Sequence, residues 1–451
     1  MGKNNKIDLV SSPKKSFWKL TIPFLGFVLF NELYSVIDMY WISIYSADAF
    51  YAVGISIPIY ILINSIGDSV GRGTNSLMSR SIGANEYENA YNTLIHGLLI
   101  SVAAWILIIL SLTFLDNLLH VMKITKAAQL VKLYLIPMFL FSIIIILSNV
   151  FPETFQSEGN SKTPTLIIIG TNILNLILDP ILIFYLQMGV EGAIYATLLS
   201  SALSVAIFFY LYISNYTKIP LKLKYFKLDF HIIFEILKVS VSSLPGNILY
   251  CISTIFINSV LITGIGEIGI LLYATSCKLQ ALLLTPVRAY GKALLSVSGH
   301  LFGSKKIDEI KDMYYYVLKI AIGSIILILI PFIFFRDYIY NAFHIYGMES
   351  AVTYIVLLGS IIVISITVIM ISSKILDGFG KSYYSLALDI ANLTVTTTLL
   401  ALLSDFFPNG ASVLVGILIA DLIFSCSFNI LLNHMFKKMK KQKEEEKLVV
   451  I

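Results

Sequence analysis

Twelve apolar stretches, each of about 20 residues or more, recur from one end of the chain to the other, and this recurrence limits the possible folds more than any other feature. They fall at 16–45, 50–78, 92–115, 131–151, 164–186, 190–213, 235–264, 269–298, 314–335, 351–375, 383–404 and 411–434. At 1.5 Å of rise per residue, each can cross the roughly 30 Å hydrocarbon layer of a bilayer as a helix. A helix satisfies its own amides and carbonyls where no water can. The pattern therefore predicts an all-α integral membrane protein with twelve transmembrane helices. Composition agrees, since 57% of the 451 residues are hydrophobic and only 13% are charged, roughly half the charged share of a soluble domain. The polar opening "MGKNNKIDLVSSPKK" carries no cleavable-signal pattern, so the first stretch is expected to remain a helix. Cys251, Cys277 and Cys426 all lie in apolar stretches and support neither a disulfide framework nor a zinc site.

The basic residues alternate between connections. The N-terminus (Lys3, Lys6, Lys14, Lys15), the 79–91 loop (Arg80), the 214–234 segment (Lys218, Lys222, Lys224, Lys227), the 299–313 loop (Lys305, Lys306, Lys311) and the tail "KKMKKQKEEEK" are basic. The connections "SADA", "QMGVEG" and "GIGEIG" carry no lysine or arginine, although the 116–130 loop holds Lys123 and Lys126. This bias predicts a multi-pass protein of the cell (inner or cytoplasmic) membrane with both termini cytoplasmic. The net charge of +5 is then an orientation signal, and no nucleic-acid partner is expected.

The halves overlay at a shift of 220, with Asp38 on Asn258, Gly71 on Gly291, Arg72 on Lys292 and Gly83 on Gly303. A second patch matches at 219, with Glu158, Gly159 and Lys162 on Asp377, Gly378 and Lys381. Six spans per copy is an even number, so both copies enter the membrane in the same direction. Parallel repeats of this kind are a known plan for transporters, with the substrate path between the halves. The predicted organisation is a tail at 1–15, a six-helix bundle at 16–213, a cytoplasmic linker at 214–234, a second six-helix bundle at 235–434 and a charged tail at 435–451.

Polar residues inside the spans carry the functional signal. Asp38 and Asp179 each lie about 7 residues, or roughly 10 Å, inside the predicted outer ends of the first and fifth spans, and Thr197 lies at a similar depth in the sixth. Asn175 precedes Asp179 by four residues and Tyr34 precedes Asp38 by four, so each pair shares a helix face. Carboxylate, amide and hydroxyl oxygens form a hard ligand set suited to a proton or a sodium ion. Pro180 frees the carbonyl of Leu176 and weakens the helix beside Asp179. An ionised aspartate at a helix centre costs about 2.5–3.5 kcal/mol on insertion scales, so these groups should face the bundle interior or water. Glu32 either faces the same cavity or makes a packing hydrogen bond. Lys278 either snorkels or meets an acidic group of a substrate. Asp68 and Arg72 are expected to pair within one helix, and Asp389 and Asp421 form a rival ion site in the second half.

The ordered set "IDMYWIS", "GISIPIYILINSIGDSVGRGTNSLMSRSIGANEYENA", "QSEGNSKTP", "LNLILDP" and "SCKLQALLLTPVRAYGKALLSVSGHLFGSKKIDE" resembles the multidrug and toxic compound extrusion (MATE) family over nearly the whole chain. The resemblance implies two six-helix bundles around a central cavity and antiport, in which protons or sodium ions drive export of bulky, often cationic or amphipathic molecules. It is similar above all to the DinF-like branch. That likeness implies a cation site of Asp38, Asn175, Asp179 and Thr197, with Pro23 as a bending proline of the first helix. The other main branch has acids in its seventh and tenth helices, near which this chain has Ser253 and Thr367. Gln156 stands where an arginine is common.

The expected activity is thus cation-coupled antiport by alternating access, with a drug-like or cationic small molecule and the lipid bilayer as partners, no cofactor and a monomeric state. The alternative is a flippase for lipid-linked oligosaccharide or peptidoglycan precursors. Such a protein should carry several cavity cations to meet pyrophosphate, and here only Lys278 and Arg288 qualify. A membrane-embedded enzyme is not supported, because the chain lacks a metal-spaced His/Asp cluster and a paired Ser/His arrangement.

Overall fold

The computed structural model describes residues 9–117, 128–219, 226–243, 280–335, 349–403 and 411–449. It divides into two compact units, Met1–Val241 and Ser242–Ile451. The first contains α1 (Pro13–Tyr45), α2 (Ala47–Gly83), α3 (Tyr87–Ser111), α4 (Ala128–Leu140), α5 (Ser142–Ser157), α6 (Lys162–Pro180) and α7 (Val190–Ile213). Helix α8 (Phe230–Ser243) begins inside the segment expected as a linker and falls almost wholly within this first unit. The second contains α9 (Thr285–Gly303), α10 (Ile307–Phe334), α11 (Glu349–Gly378), α12 (Ser382–Leu403) and α13 (Ala411–Val449).

Among the described residues, seven helices are long and apolar enough to cross a membrane. The pair α4 and α5, bent by 54° at Phe141, makes an eighth span if it crosses as one. The bend has a local cause. Pro137 interrupts the amide ladder of α4, and the Ile144 amide turns back to the Phe141 carbonyl at 2.9 Å instead of continuing the regular pattern. This is the all-α membrane fold that the apolar stretches predict.

The helices sort their faces for lipid. On α6, Thr171, Asn175 and Asp179 are buried, whereas Ile173 and Ile177 on the opposite face are 44% and 54% exposed. Polar groups turn inward because lipid offers them no hydrogen bonds. Small residues then set how closely helices approach. A Cβ at Gly97 of α3 would lie 2.5 Å from the Thr74 hydroxyl of α2, and one at Gly192 of α7 would lie 2.7 Å from the Leu182 backbone.

The internal repeat is visible in the turns. After α2, the amides of Ala84, Asn85 and Glu86 return to the carbonyls of Arg80, Ile82 and Ser81. After α9, Ser304, Lys305 and Lys306 return to His300, Phe302 and Leu301, a shift of 220 at every position. Asn85 and Lys305 adopt the same left-handed conformation, with φ of 64° and 55°. The second patch requires a correction. Gly159 and Gly380 are the matching left-handed glycines, with φ of 81° and 69°. Their amides bond to Gln156 and Asp377, so the shift here is 221 and not 219. The sequence overlay paired acid with acid, whereas the turn is fixed by the glycine that tolerates positive φ.

Candidate cation site in the first unit

Three contacts hold the end of α1 against the segment after α6. Helix α6 stops at Pro180 and continues as a π-helical turn, Ile181–Tyr185. This irregularity lies where the proline removes an amide from the ladder, and π turns of this kind recur at functional positions. Phe184 of the turn packs edge-on against Trp41 and Tyr45 of α1, at ring distances of 6.2 and 6.0 Å. The Tyr45 hydroxyl closes over Gly189, where a Cβ would lie 2.6 Å from it and where φ is +56°. Trp41 is three residues beyond Asp38 and Phe184 is five beyond Asp179, so these aromatic contacts hold the two aspartates against each other.

The Asp38 and Asp179 carboxyl groups face each other across α1 and α6 at hydrogen-bonding range. Asp179 is fully buried, and neither of its oxygens receives a hydrogen bond from a described protein donor. Two carboxylates so placed repel unless a proton or a cation lies between them. Asn175, also fully buried, lies one turn before Asp179 on the same face of α6. Thr197 stands on α7, which packs against α6, and its hydroxyl donates to the Ala193 carbonyl at 3.2 Å. Its oxygen lone pairs are still able to coordinate.

Two tyrosines that were not singled out from the sequence stand near this pair, and two asparagines, Asn64 and Asn149, adjoin one of them. Tyr60 of α2 and Tyr134 of α4 both lie within range of the Asp38 charge. Asn64 lies one turn beyond Tyr60, donates to its carbonyl at 3.0 Å, and accepts a hydrogen bond from Asn149 of α5 at 3.1 Å. The signal that could have found them was present, because Tyr60 and Asn64, like Asn175 and Asp179, are polar residues four apart in an apolar run.

Other expectations fare differently. Asp68 and Arg72 do pair within α2, at 3.0 Å. Asp421 accepts a hydrogen bond from Asn392 at 3.1 Å, while Asp389 has Asp377 and Lys374 as its charged neighbours, so the rival acids are engaged with different partners. Thr367 is buried and donates to the Val363 carbonyl at 2.8 Å. The side chains of Glu32 and Tyr34, and all of Lys278, lie outside the described residues.

A polytopic helical protein of two repeated units, with carboxyl groups buried in the membrane part of one, has the build of a membrane transporter. The comparisons narrow that class. The MatE family model matches residues 23–181. The multidrug export protein MepA of Staphylococcus aureus strain NCTC 8325 is 21% identical over 361 residues, covering 71% of this chain and 80% of that protein. A solved MATE structure in the bent conformation superposes with a TM-score of 0.90 at 26% identity, covering 95% of this chain and 97% of the other. A transporter of the MOP superfamily from Pyrococcus furiosus, for which a binding pocket of reversed polarity suggests a different function, superposes with a TM-score of 0.89 at 25% identity over 98% of this chain and 99% of that one. In sequence and in fold the chain is thus similar to MATE membrane transporters, with the MatE match confined to residues 23–181.

Proposed function

We propose that this protein exports bulky cationic or amphipathic small molecules by alternating access, driven by a proton or sodium ion that binds between Asp38 and Asp179. The observation that carries this reading is the facing pair of carboxyl groups, with no described protein donor reaching Asp179. Such a pair binds a cation or proton tightly and is destabilised without one, so ion occupancy can set how α1 and α6 sit against each other. Asn175 and Thr197 supply further oxygens for a hard cation. The placement of the pair in the first unit, with a threonine at position 367 of the second, fits the DinF-like branch. The basic connections orient both termini to the cytoplasm, and the protein works as a monomer.

The test is uptake of a fluorescent cationic dye into inverted vesicles holding the purified protein, under an imposed sodium or pH gradient. One gradient should drive uptake in wild type, and Asp38→Asn should abolish it while the protein still inserts. Wild-type uptake by Asp38→Asn and Asp179→Asn would refute the assignment of the site.

A further inference from the structure

Helices α12 and α13 begin 220 and 221 residues after α6 and α7, so they are the second unit's copies of the two helices that carry Asp179 and Thr197. At the shift of 221 fixed by the left-handed glycines, Leu400 falls on Asp179, Thr396 on Asn175 and Asn392 on Thr171. The acid of α6 is therefore missing from α12. The second unit holds one on α13 instead, Asp421, where the first unit has Ser200. Asn392 and Asp421 each lie ten residues from the start of their helices, about 15 Å along the axis and near the middle of each span. Asn392 Nδ2 donates to Asp421 Oδ1 at 3.1 Å, and the Thr396 hydroxyl donates to Asn392 Oδ1 at 3.0 Å. Asp421 is only 7% exposed. An ionised carboxylate offers about four acceptor positions, yet among the described residues Asn392 is the only donor that reaches it. A carboxylate so placed in the middle of a span is costly unless a positive charge joins it.

The described charged and titratable groups on the helices packed against α13 are engaged elsewhere. On α11, Lys374 meets Asp377 at 3.0 Å, and Asp389 of α12 has that pair as its charged neighbours. Tyr383 and Tyr384 lie against each other at the start of α12. On α10, Tyr314 shares a hydrogen bond with Ser372, Tyr315 donates to Asn433, and Asp308 meets Lys440 at 3.5 Å. Among the described residues no cation forms an ion pair with Asp421.

We propose that Asp421, Asn392 and Thr396 form a proton-binding site of the second unit, separate from the Asp38–Asp179 pair. The chemistry lies in the Asn392 amide, which carries a donor on one side and an acceptor on the other. With Asp421 ionised, the two hydrogen bonds run from Thr396 to Asn392 to Asp421, as the distances show. When a proton from solvent adds to the carboxylate, the amide turns over by half a revolution. The new carboxyl O–H then donates to Asn392 Oδ1, and Asn392 Nδ2 donates to the Thr396 oxygen. The Thr396 hydroxyl turns to the carbonyl of Asn392, four residues back, the bond that Thr397 and Thr398 beside it already make to Leu393 and Thr394. Asp421 alone changes charge, by one proton, and α12 stays joined to α13 in both states. The inference goes beyond the export proposed above, because the site lies in the other unit and its test requires no transport.

The test is infrared difference spectroscopy of the full-length protein in lipid vesicles, titrated with pH and reading the C=O stretch of protonated carboxyl groups. Wild type should gain a band on acidification that Asp421→Asn lacks and that the Asp38→Asn/Asp179→Asn double variant keeps. The amide band in the same spectra reports whether Asp421→Asn is still helical. Asn392→Ala keeps the acid and serves if Asp421→Asn does not fold. It should raise the midpoint of the band by about half a pH unit or more, because the bond to the ionised carboxylate is the stronger of the two it removes. An unchanged set of bands in Asp421→Asn, or an unchanged midpoint in Asn392→Ala, would overturn the proposal. So would a band of Asp421 that persists at every pH at which the protein stays folded, since the carboxyl would then never release its proton. Suppression of the band by sodium at constant pH would make this a metal-cation site and overturn the assignment to a proton. Failure of the dye-uptake assay with these bands present would refute the export reading alone.

Discussion

At the scale of single residues, membrane burial separates functional side chains from ordinary ones. Serines and threonines in these helices mostly return their hydroxyls to a carbonyl three or four residues back, as Ser101 does to Gly97 and Ser240 to Ile236, both at 2.8 Å. A carboxylate cannot do this, because it only accepts. Asp179 in the apolar run of α6 must therefore find a donor, a proton or a cation, and no described protein donor reaches it. Removing one charge of the pair should relieve the repulsion. Asp179→Asn is accordingly expected to raise the thermal unfolding midpoint of the detergent-solubilised protein by a few degrees in sodium-free alkaline buffer, while transport is lost. A lower midpoint under those conditions would mean that the two carboxyl groups do not face each other as charges.

At the scale of elements, close helix contact is set by glycine. Gly71→Ala is expected to destabilise the first unit by about 1–3 kcal/mol, because the new methyl group meets both Glu153 Cγ and the Asn149 carbonyl and α2 must move outward. Gly26→Ala, where nothing lies within 4 Å, is the matched control and should leave the unfolding midpoint unchanged or slightly raised. Helix α8 is tied to the same unit by charge and by backbone. Glu235 meets Arg80 at 3.4 Å, and Asn92 bonds to both the amide and the carbonyl of Lys227. Asn92→Ala leaves both Lys227 groups unpaired and should speed hydrogen exchange over residues 226–235 by about fivefold or more, with α5 unaffected. Unchanged exchange there would show that the Arg80–Glu235 pair and the Asp229–His96 bond hold the segment without Asn92.

At the scale of the whole molecule, the duplicated plan and the alternating charge of the connections make one geometric prediction. Cysteines placed at Asp48 and at Asn85, in a background where Cys251, Cys277 and Cys426 are replaced by serine, should label from opposite sides of the membrane. In intact cells a membrane-impermeant maleimide should reach position 48 and should reach position 85 only after permeabilisation. The reverse pattern would invert the orientation and place the Gly83 end of α2 outside. Much of this level was legible in the sequence. The helices follow the apolar stretches, because 20 apolar residues in lipid have no stable alternative to a helix. The bend at Phe141 was not legible, since a proline four residues earlier permits a kink without requiring one.

What the sequence determined by itself is therefore the solvent, the helices, the repeat and the residue types able to hold a proton or sodium ion. Each follows from local composition and spacing. Only the tertiary structure decided which polar groups meet. It brought Tyr60 and Tyr134 to the aspartate pair, joined Asn64 to Asn149, moved the second repeat match from 219 to 221, and buried Glu153 against Asn75. The physical reason is that facing contacts between helices depend on rotation and close approach, which glycines and aromatic contacts distant in sequence control. A carboxylate in an apolar run announces that it needs a partner, but its partner lies on another helix.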